Sequence, residues 1–145
     1  MSILRVILGD QLSESISSLD DYNFNSDFIL MCEVRDEATY VRHHKKKIAF
    51  IFSAMRHFCK TLQEKGYNIT YVPLDDPDNT GSFKGEVKRI LEKKNITRII
   101  ITHPGEYRVL NDINTWADEF KIEVEIRSDN RFLCDLDEFK KWAGA

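Results

Sequence analysis

Apolar residues along this chain gather in five short runs separated by longer stretches with helical spacing. Residues 3–8 form an apolar run stopped by Gly9-Asp10. Residues 28–34, 69–73 and 98–102 form three more, the third closed by Pro73 and the fourth by Pro104-Gly105. These four are nearly continuous in apolar residues, the pattern of parallel strands covered on both faces. Residues 122–126 alternate strictly instead, which predicts a fifth strand with one face toward water, as at a sheet edge.

Helical patterns lie between the runs. The strongest spans 46–65, where Ile48, Ile51, Phe52, Met55, Cys59 and Leu62 form one face and Gly66 marks the end. Phe50, Ala54 and Phe58 fall partly off that face, so this helix has more apolar surface than one buried stripe requires and implies a second contact, with another domain or a ligand. Residues 82–94, with Val87, Ile90 and Leu91, predict a shorter helix. Val109, Ile113, Trp116, Ala117 and Phe120 mark another, and Leu136, Phe139 and Trp142 a short terminal one. The order βαβαβαβαβ predicts an α/β fold: a doubly wound, five-stranded parallel, Rossmann-like sheet with right-handed crossovers and helices on both faces. Ligands of such sheets bind outside the carboxyl ends of the strands. That directs attention to residues 9–12, 33–47, 75–81 and 103–108.

Composition narrows the class. The 145 residues suit one domain, and a chain of this size buries roughly two-thirds of its unfolded surface. Hydrophobic residues make up 42%, so the chain folds around a core and is not a disordered tail. No run approaches the ~20 apolar residues of a membrane helix, and no charged leader precedes an apolar stretch. Cys32, Cys59 and Cys134 are widely spaced and form no CxxC pair, which excludes a zinc or iron–sulfur site made from this chain alone and suits a reducing cytoplasm. A net charge of −3 argues against a strongly basic nucleic-acid module.

The strand-end loops carry the candidate chemistry. Gly9-Asp10-Gln11 follows the first strand with a single glycine, so neither a GxGxxG fingerprint nor a Walker A loop is present. Asp10 offers acceptors and Gln11 a donor and an acceptor, which suits the edge of a heterocycle or, equally, a turn satisfying its own backbone. Glu33, Asp36 and Glu37 lie with Arg35 after the second strand, as a mutually paired loop or as acceptors for ligand hydroxyls. His43-His44-Lys45-Lys46-Lys47 is a solvated helix start or a contact for an anionic neighbour. Glu106 and Tyr107, after the fourth strand, are placed to share a crevice with Asp10 and Glu37 or to cover the sheet end. No nucleophile elbow such as GxSxG occurs, and no residue is assigned a catalytic or metal-binding role.

Several of these segments resemble one family. Leu8-Gly9-Asp10-Gln11-Leu12, Cys32-Glu33-Val34, the long block from Tyr40 through His43-His44-Lys45-Lys46-Lys47 to Phe58, Gly81-Ser82-Phe83, Pro104-Gly105-Glu106-Tyr107-Arg108 and the stretch from Arg127 to Leu133 carry the likeness. It is to the N-terminal domain of the photolyase-related branch of the cryptochrome/photolyase family, the bacterial (6-4) photolyases and cryptochromes with an iron–sulfur cluster. It runs from Leu4 to Trp142. The resemblance implies that residues 1–145 are a single α/β antenna domain, whose partner is the C-terminal helical domain of the same polypeptide. That domain, with its FAD and iron–sulfur cluster, lies outside this chain. It also implies light-driven repair of damaged DNA, or light sensing, by the parent protein. The cofactor implied for this domain is 6,7-dimethyl-8-ribityllumazine, an antenna that passes excitation to FAD. Gly9, Asp10 and Gln11 are then expected at the heterocycle edge, and Glu37 at the ribityl chain. Ile51, Met55, Cys32 and Val34 are expected as apolar walls, with Glu33 and Glu106 nearby. Two other readings stand beside it: a module that packs against the flavin domain around an empty pocket, and a stand-alone nucleotide- or flavin-binding protein.

Overall fold

The computed structural model describes residues 1–144. Its strands are β1 (Ser2–Val6), β2 (Phe28–Cys32), β3 (Ile69–Val72), β4 (Ile96–Thr102) and β5 (Glu123–Arg127). The helices are α1 (Arg35–Thr39), α2 (Lys45–Glu64), α3 (Phe83–Lys93), α4 (Tyr107–Phe120) and α5 (Leu136–Ala143). All strands pair in parallel in the order β3-β2-β1-β4-β5. The winding reverses between β1 and β4, whose loops therefore diverge and open a crevice at their carboxyl ends. This is the doubly wound architecture the alternation of strands and helices predicts.

Alternation along each strand sends side chains to two separate cores. On one face Leu4, Val6, Leu30, Ile99 and Ile101 meet Val87 and Ile90 of α3 and Val109, Ile113 and Trp116 of α4. On the other, Ile7, Ile29 and Met31 meet Met55, Cys59 and Leu62 of α2, with Ile16 and Leu19 from the β1–β2 connection. Outward-turned Phe50 is 74% exposed, so part of the surplus apolar surface of α2 has no cover within residues 1–144.

One expected helix is missing. The βαβ alternation asks for a helix between β1 and β2, but the connection holds only a 3-10 turn, Ser17–Leu19. Arginine chemistry does the holding there. Arg5, on β1, is 1% exposed and donates to Asp27 Oδ2 at 2.9 Å, to the Ser18 carbonyl at 2.9 Å and to Asp21 Oδ1 at 2.9 Å. Arg127 of β5 reaches the same loop through the Ser17 carbonyl and Asp21. Charge-assisted hydrogen bonds thus pin a loop that Ile16 and Leu19 also anchor in the core. The edge strand β5 behaves as its alternation predicts: Val124 and Ile126 pack inward, while Glu125 pairs outward with Arg98 and Arg127.

Helix α5 begins with a capping box between Asp135 and Glu138, yet buries no residue. Its apolar positions Leu136, Phe139 and Trp142 all face outward.

Candidate functional site

Helix α2 starts beyond the carboxyl end of β2 and passes over the crevice at the carboxyl ends of β1, β2 and β4. His44 caps it, its Nδ1 accepting the Lys46 N–H at 3.1 Å. The helix comes close to β1 because residue 9 is glycine: a Cβ there would lie 3.0 Å from Met55 Sδ and 3.4 Å from Ile51 Cγ2. Beyond this contact the elements separate and enclose a cavity of about 320 Å3. Ligand pockets run from roughly 300 to 1,000 Å3, so this one matches a compact ligand.

Its walls are apolar. Ile48, Ile51, Phe52 and Met55 of α2 form one side, and Leu8, Cys32 and Val34 at the strand ends form the other, with Val109 of α4. Burial pushes the Cys32 thiol far up, so it stays neutral and serves as an apolar wall. Polar groups stand at the rim: Asp10 on the β1 loop, Glu37 and Tyr40 on the α1 strap, and Glu106 before α4. The Asp10 carboxylate takes no hydrogen bond from the described residues.

Eight of the ten residues expected from sequence border the cavity: Gly9, Asp10, Cys32, Val34, Glu37, Ile51, Met55 and Glu106. Two do not. Gln11 is fully buried beneath the β1 loop, where its Oε1 accepts the Leu8 N–H at 3.2 Å and its Nε2 donates to the Thr102 carbonyl at 3.0 Å. Its polar atoms stitch β1 to β4 across the point of reversal, leaving none for a heterocycle. Glu33 turns to the other side of β2, also fully buried, and is held by Arg56, Tyr71 and the Leu74 N–H. Strand alternation explains this: Cys32 and Val34 face the cavity, so Glu33 between them faces away. Tyr107 is 76% exposed and lies outside the cavity as well.

The structure adds residues that the sequence reading had not assigned to the site. Phe83, at the start of α3, closes one end, and His43 and Lys47 border the mouth. Arg108 spans the rim, donating to Glu37 and Glu106. The sequence signals for it were its place in the loop after the fourth strand and in the Pro104–Arg108 segment that carries the family likeness. Burial pushes the Glu37 carboxyl above its ordinary value, and the hydrogen bond from Arg108 only partly offsets this. The hydrogen bond to Glu106 pushes the Tyr40 hydroxyl up and keeps it a donor. No group of three or more His, Cys, Asp or Glu among the described residues is arranged to hold a metal ion. No helix among the described residues is long and apolar enough to cross a membrane.

A parallel sheet with an apolar cavity at its point of reversal, rimmed by acceptors, defines a domain of the Rossmann-like α/β class, in which ligands bind at such points. Sequence comparison gives it a lineage. A family described as deoxyribodipyrimidine photo-lyase-related protein matches residues 5–145, and the chain belongs to that family. It is 54% identical over 143 residues to a (6-4) photolyase of Agrobacterium fabrum. The match takes in 99% of this chain but 28% of that relative, so the chain spans a little over a quarter of the relative's length.

Proposed function

We propose that this domain is the antenna module of a photolyase-related flavoprotein, holding 6,7-dimethyl-8-ribityllumazine in the cavity under α2. The observation that carries this is the cavity itself, apolar on two opposed sides and fringed with carboxylates. A planar ring needs flat apolar walls, which Ile51 and Met55 on one side and Cys32 and Val34 on the other supply. A polyol chain needs acceptors, and Glu37 Oε2 takes no hydrogen bond among the described residues. Asp10, likewise without a partner for its carboxylate, suits a ring N–H. The residues therefore fit such a group. When bound, the lumazine supplies light absorption and the excitation that reaches FAD in the helical domain. The chain's own residues orient it and keep water from it. Damaged DNA is then the substrate of the whole polypeptide, or light the signal it senses.

The test is the absorption spectrum of the purified domain, followed by titration with the lumazine. Saturable binding with a violet band fixed to the protein is the expected result. A folded domain that binds none overturns the antenna reading.

A second reading has its own support in Phe50, Leu136, Phe139 and Trp142, all exposed. On that reading the domain serves mainly to pack against the flavin domain. The same titration separates the two.

A further inference from the structure

Two chain connections meet over the cavity mouth, and four side chains tie them together. One is the strap from β2 to α2, which contains α1 and Tyr40; the other is the loop from β4 to α4. Arg108, in the first turn of α4, donates from Nη2 to Glu37 Oε1 at 2.7 Å and to Glu106 Oε2 at 3.3 Å. Tyr40 donates its hydroxyl to Glu106 Oε1 at 2.8 Å. The Arg108 guanidinium also lies over the Tyr40 ring, 4.3 Å from its centroid.

These contacts matter because α1 buries nothing of its own. Its backbone tie to another segment is the Asp36 N–H to the Gly81 carbonyl at 3.0 Å. A five-residue helix without an apolar face is not stable by itself. The position of Glu37 at the cavity therefore depends on what grips it from α4.

We propose that Arg108 is a positioning residue for ligand binding: by holding one oxygen of Glu37 and stacking on Tyr40 it keeps the strap closed and leaves the other Glu37 oxygen to accept the hydroxyls of a polyol chain. The identity of that ligand rests on the antenna reading; the grip on Glu37 does not. Charged and titratable groups face Glu37 from several elements. Arg108 and Glu106 approach from α4 and its leading loop, Asp36 from α1 itself, and the Cys32 thiol from the end of β2. Asp10, His43 and Lys47 share the cavity border with it. Burial, Glu106 and Asp36 all favour the protonated form, and Arg108 opposes them. A hydroxyl donor needs the carboxylate, so affinity should fall as pH drops through the raised Glu37 value.

The test compares wild type with Arg108→Gln, Arg108→Lys and Tyr40→Phe in two readouts. The first is the Glu37 carboxyl titration followed by carbon NMR, without ligand. It should move upward in Arg108→Gln and return toward wild type in Arg108→Lys. The second is affinity for two probes, 6,7-dimethyl-8-ribityllumazine and 6,7,8-trimethyllumazine, which lacks the polyol. Arg108→Gln should weaken the first about tenfold, the loss of roughly one charge-assisted hydrogen bond, and leave the second unchanged. Tyr40→Phe should give a smaller loss of the same selectivity. Equal weakening of both probes, or a Glu37 titration indifferent to Arg108, overturns the positioning role. A wild type that binds neither probe while Glu37 still responds to Arg108 overturns the antenna reading and the polyol with it, but not the grip.

Discussion

Arg56 and Glu33 meet end to end: the arginine Nε and Nη2 donate to the two carboxylate oxygens at 2.6 and 2.9 Å. Glu33 is fully buried while Arg56 is 57% exposed, so the pair joins the outside of α2 to the end of β2. Tyr71 donates to the same carboxylate at 2.6 Å and the Leu74 N–H at 2.8 Å, so three chain segments converge on one anion. The clamp fixes the tilt of the helix that roofs the cavity.

Removing the cation should therefore loosen the roof. Arg56→Leu is expected to cost about 1–3 kcal/mol, the range for a buried acceptor stripped of its partner. Burial alone pushes the Glu33 carboxyl up, but the hydrogen bonds from Arg56, Tyr71 and Leu74 win and hold it below its ordinary 4.5. A carboxyl lowered by folding stabilises above its unfolded value, and that contribution is lost as pH falls through the folded one. Urea unfolding at about pH 7 and about pH 3.5 should show the gap between wild type and Arg56→Leu narrowing in acid.

Ile51 stands in the cavity wall and is only partly buried. An indole there projects into existing space, so Ile51→Trp should keep the far-ultraviolet circular dichroism of wild type. Lumazine binding should fall below detection. Undiminished binding by this variant would place the ligand elsewhere on the domain.

Gly85 lies in the first turn of α3, where alanine ordinarily stabilises a helix by up to about 1 kcal/mol. Here the sign reverses. A Cβ would lie 2.3 Å from Thr80 Oγ1 and 2.7 Å from Thr80 Cβ. Thr80 is itself held by the fully buried Glu86, through its N–H at 2.7 Å and its hydroxyl at 2.8 Å. Gly85→Ala should lower stability by about 1–3 kcal/mol, measured by thermal or urea unfolding.

Arg5 and Asp27 form a buried ion pair at 2.8 Å, both about 98–99% shielded from solvent. Asp27→Ala leaves a buried guanidinium short of its carboxylate and should cost about 3–5 kcal/mol. The double replacement Arg5→Met with Asp27→Leu should cost clearly less than the sum of the single changes. A double-mutant cycle by urea unfolding reads the coupling, and additive losses would contradict it.

How much of this was written in the sequence depends on distance along the chain. The strands and the long helices were legible because each carries its own apolar pattern, and the strand-end rule then located the cavity loops. Eight of the residues expected there, from strand-end position together with the family resemblance, border the cavity. Gln11 and Glu33 did not, for a local reason: their chemistry suits a ligand, but the turn and the pleat rotate them into the protein. Helix α1 was invisible because it has no apolar periodicity, its form being set by contacts with Gly81 and α4. The tie between Arg108 and Glu37 joins residues 71 positions apart, and no local pattern announces such a pair. The missing helix after β1 went unnoticed for the opposite reason, because the fold's regular alternation suggested one where hydrogen bonds from Arg5 and Arg127 had taken its place.

The cavity walls come from the first strand loop, the strap and long helix after β2, the start of α3 and the loop before α4. Any form of the chain that has released one of these has no binding site. A ligand held there therefore adds its binding energy to the cooperative unit as a whole, about 2.7 kcal/mol at a free concentration a hundred times the dissociation constant. The melting temperature should then climb with ligand concentration. Amide protons in the middle of β1 and β4, far from any ligand atom, should slow in exchange by the same factor as those beside it. Loss of such a ligand would correspondingly leave the domain more open to proteases along its whole length, so that occupancy of the cavity would govern how long the domain survives.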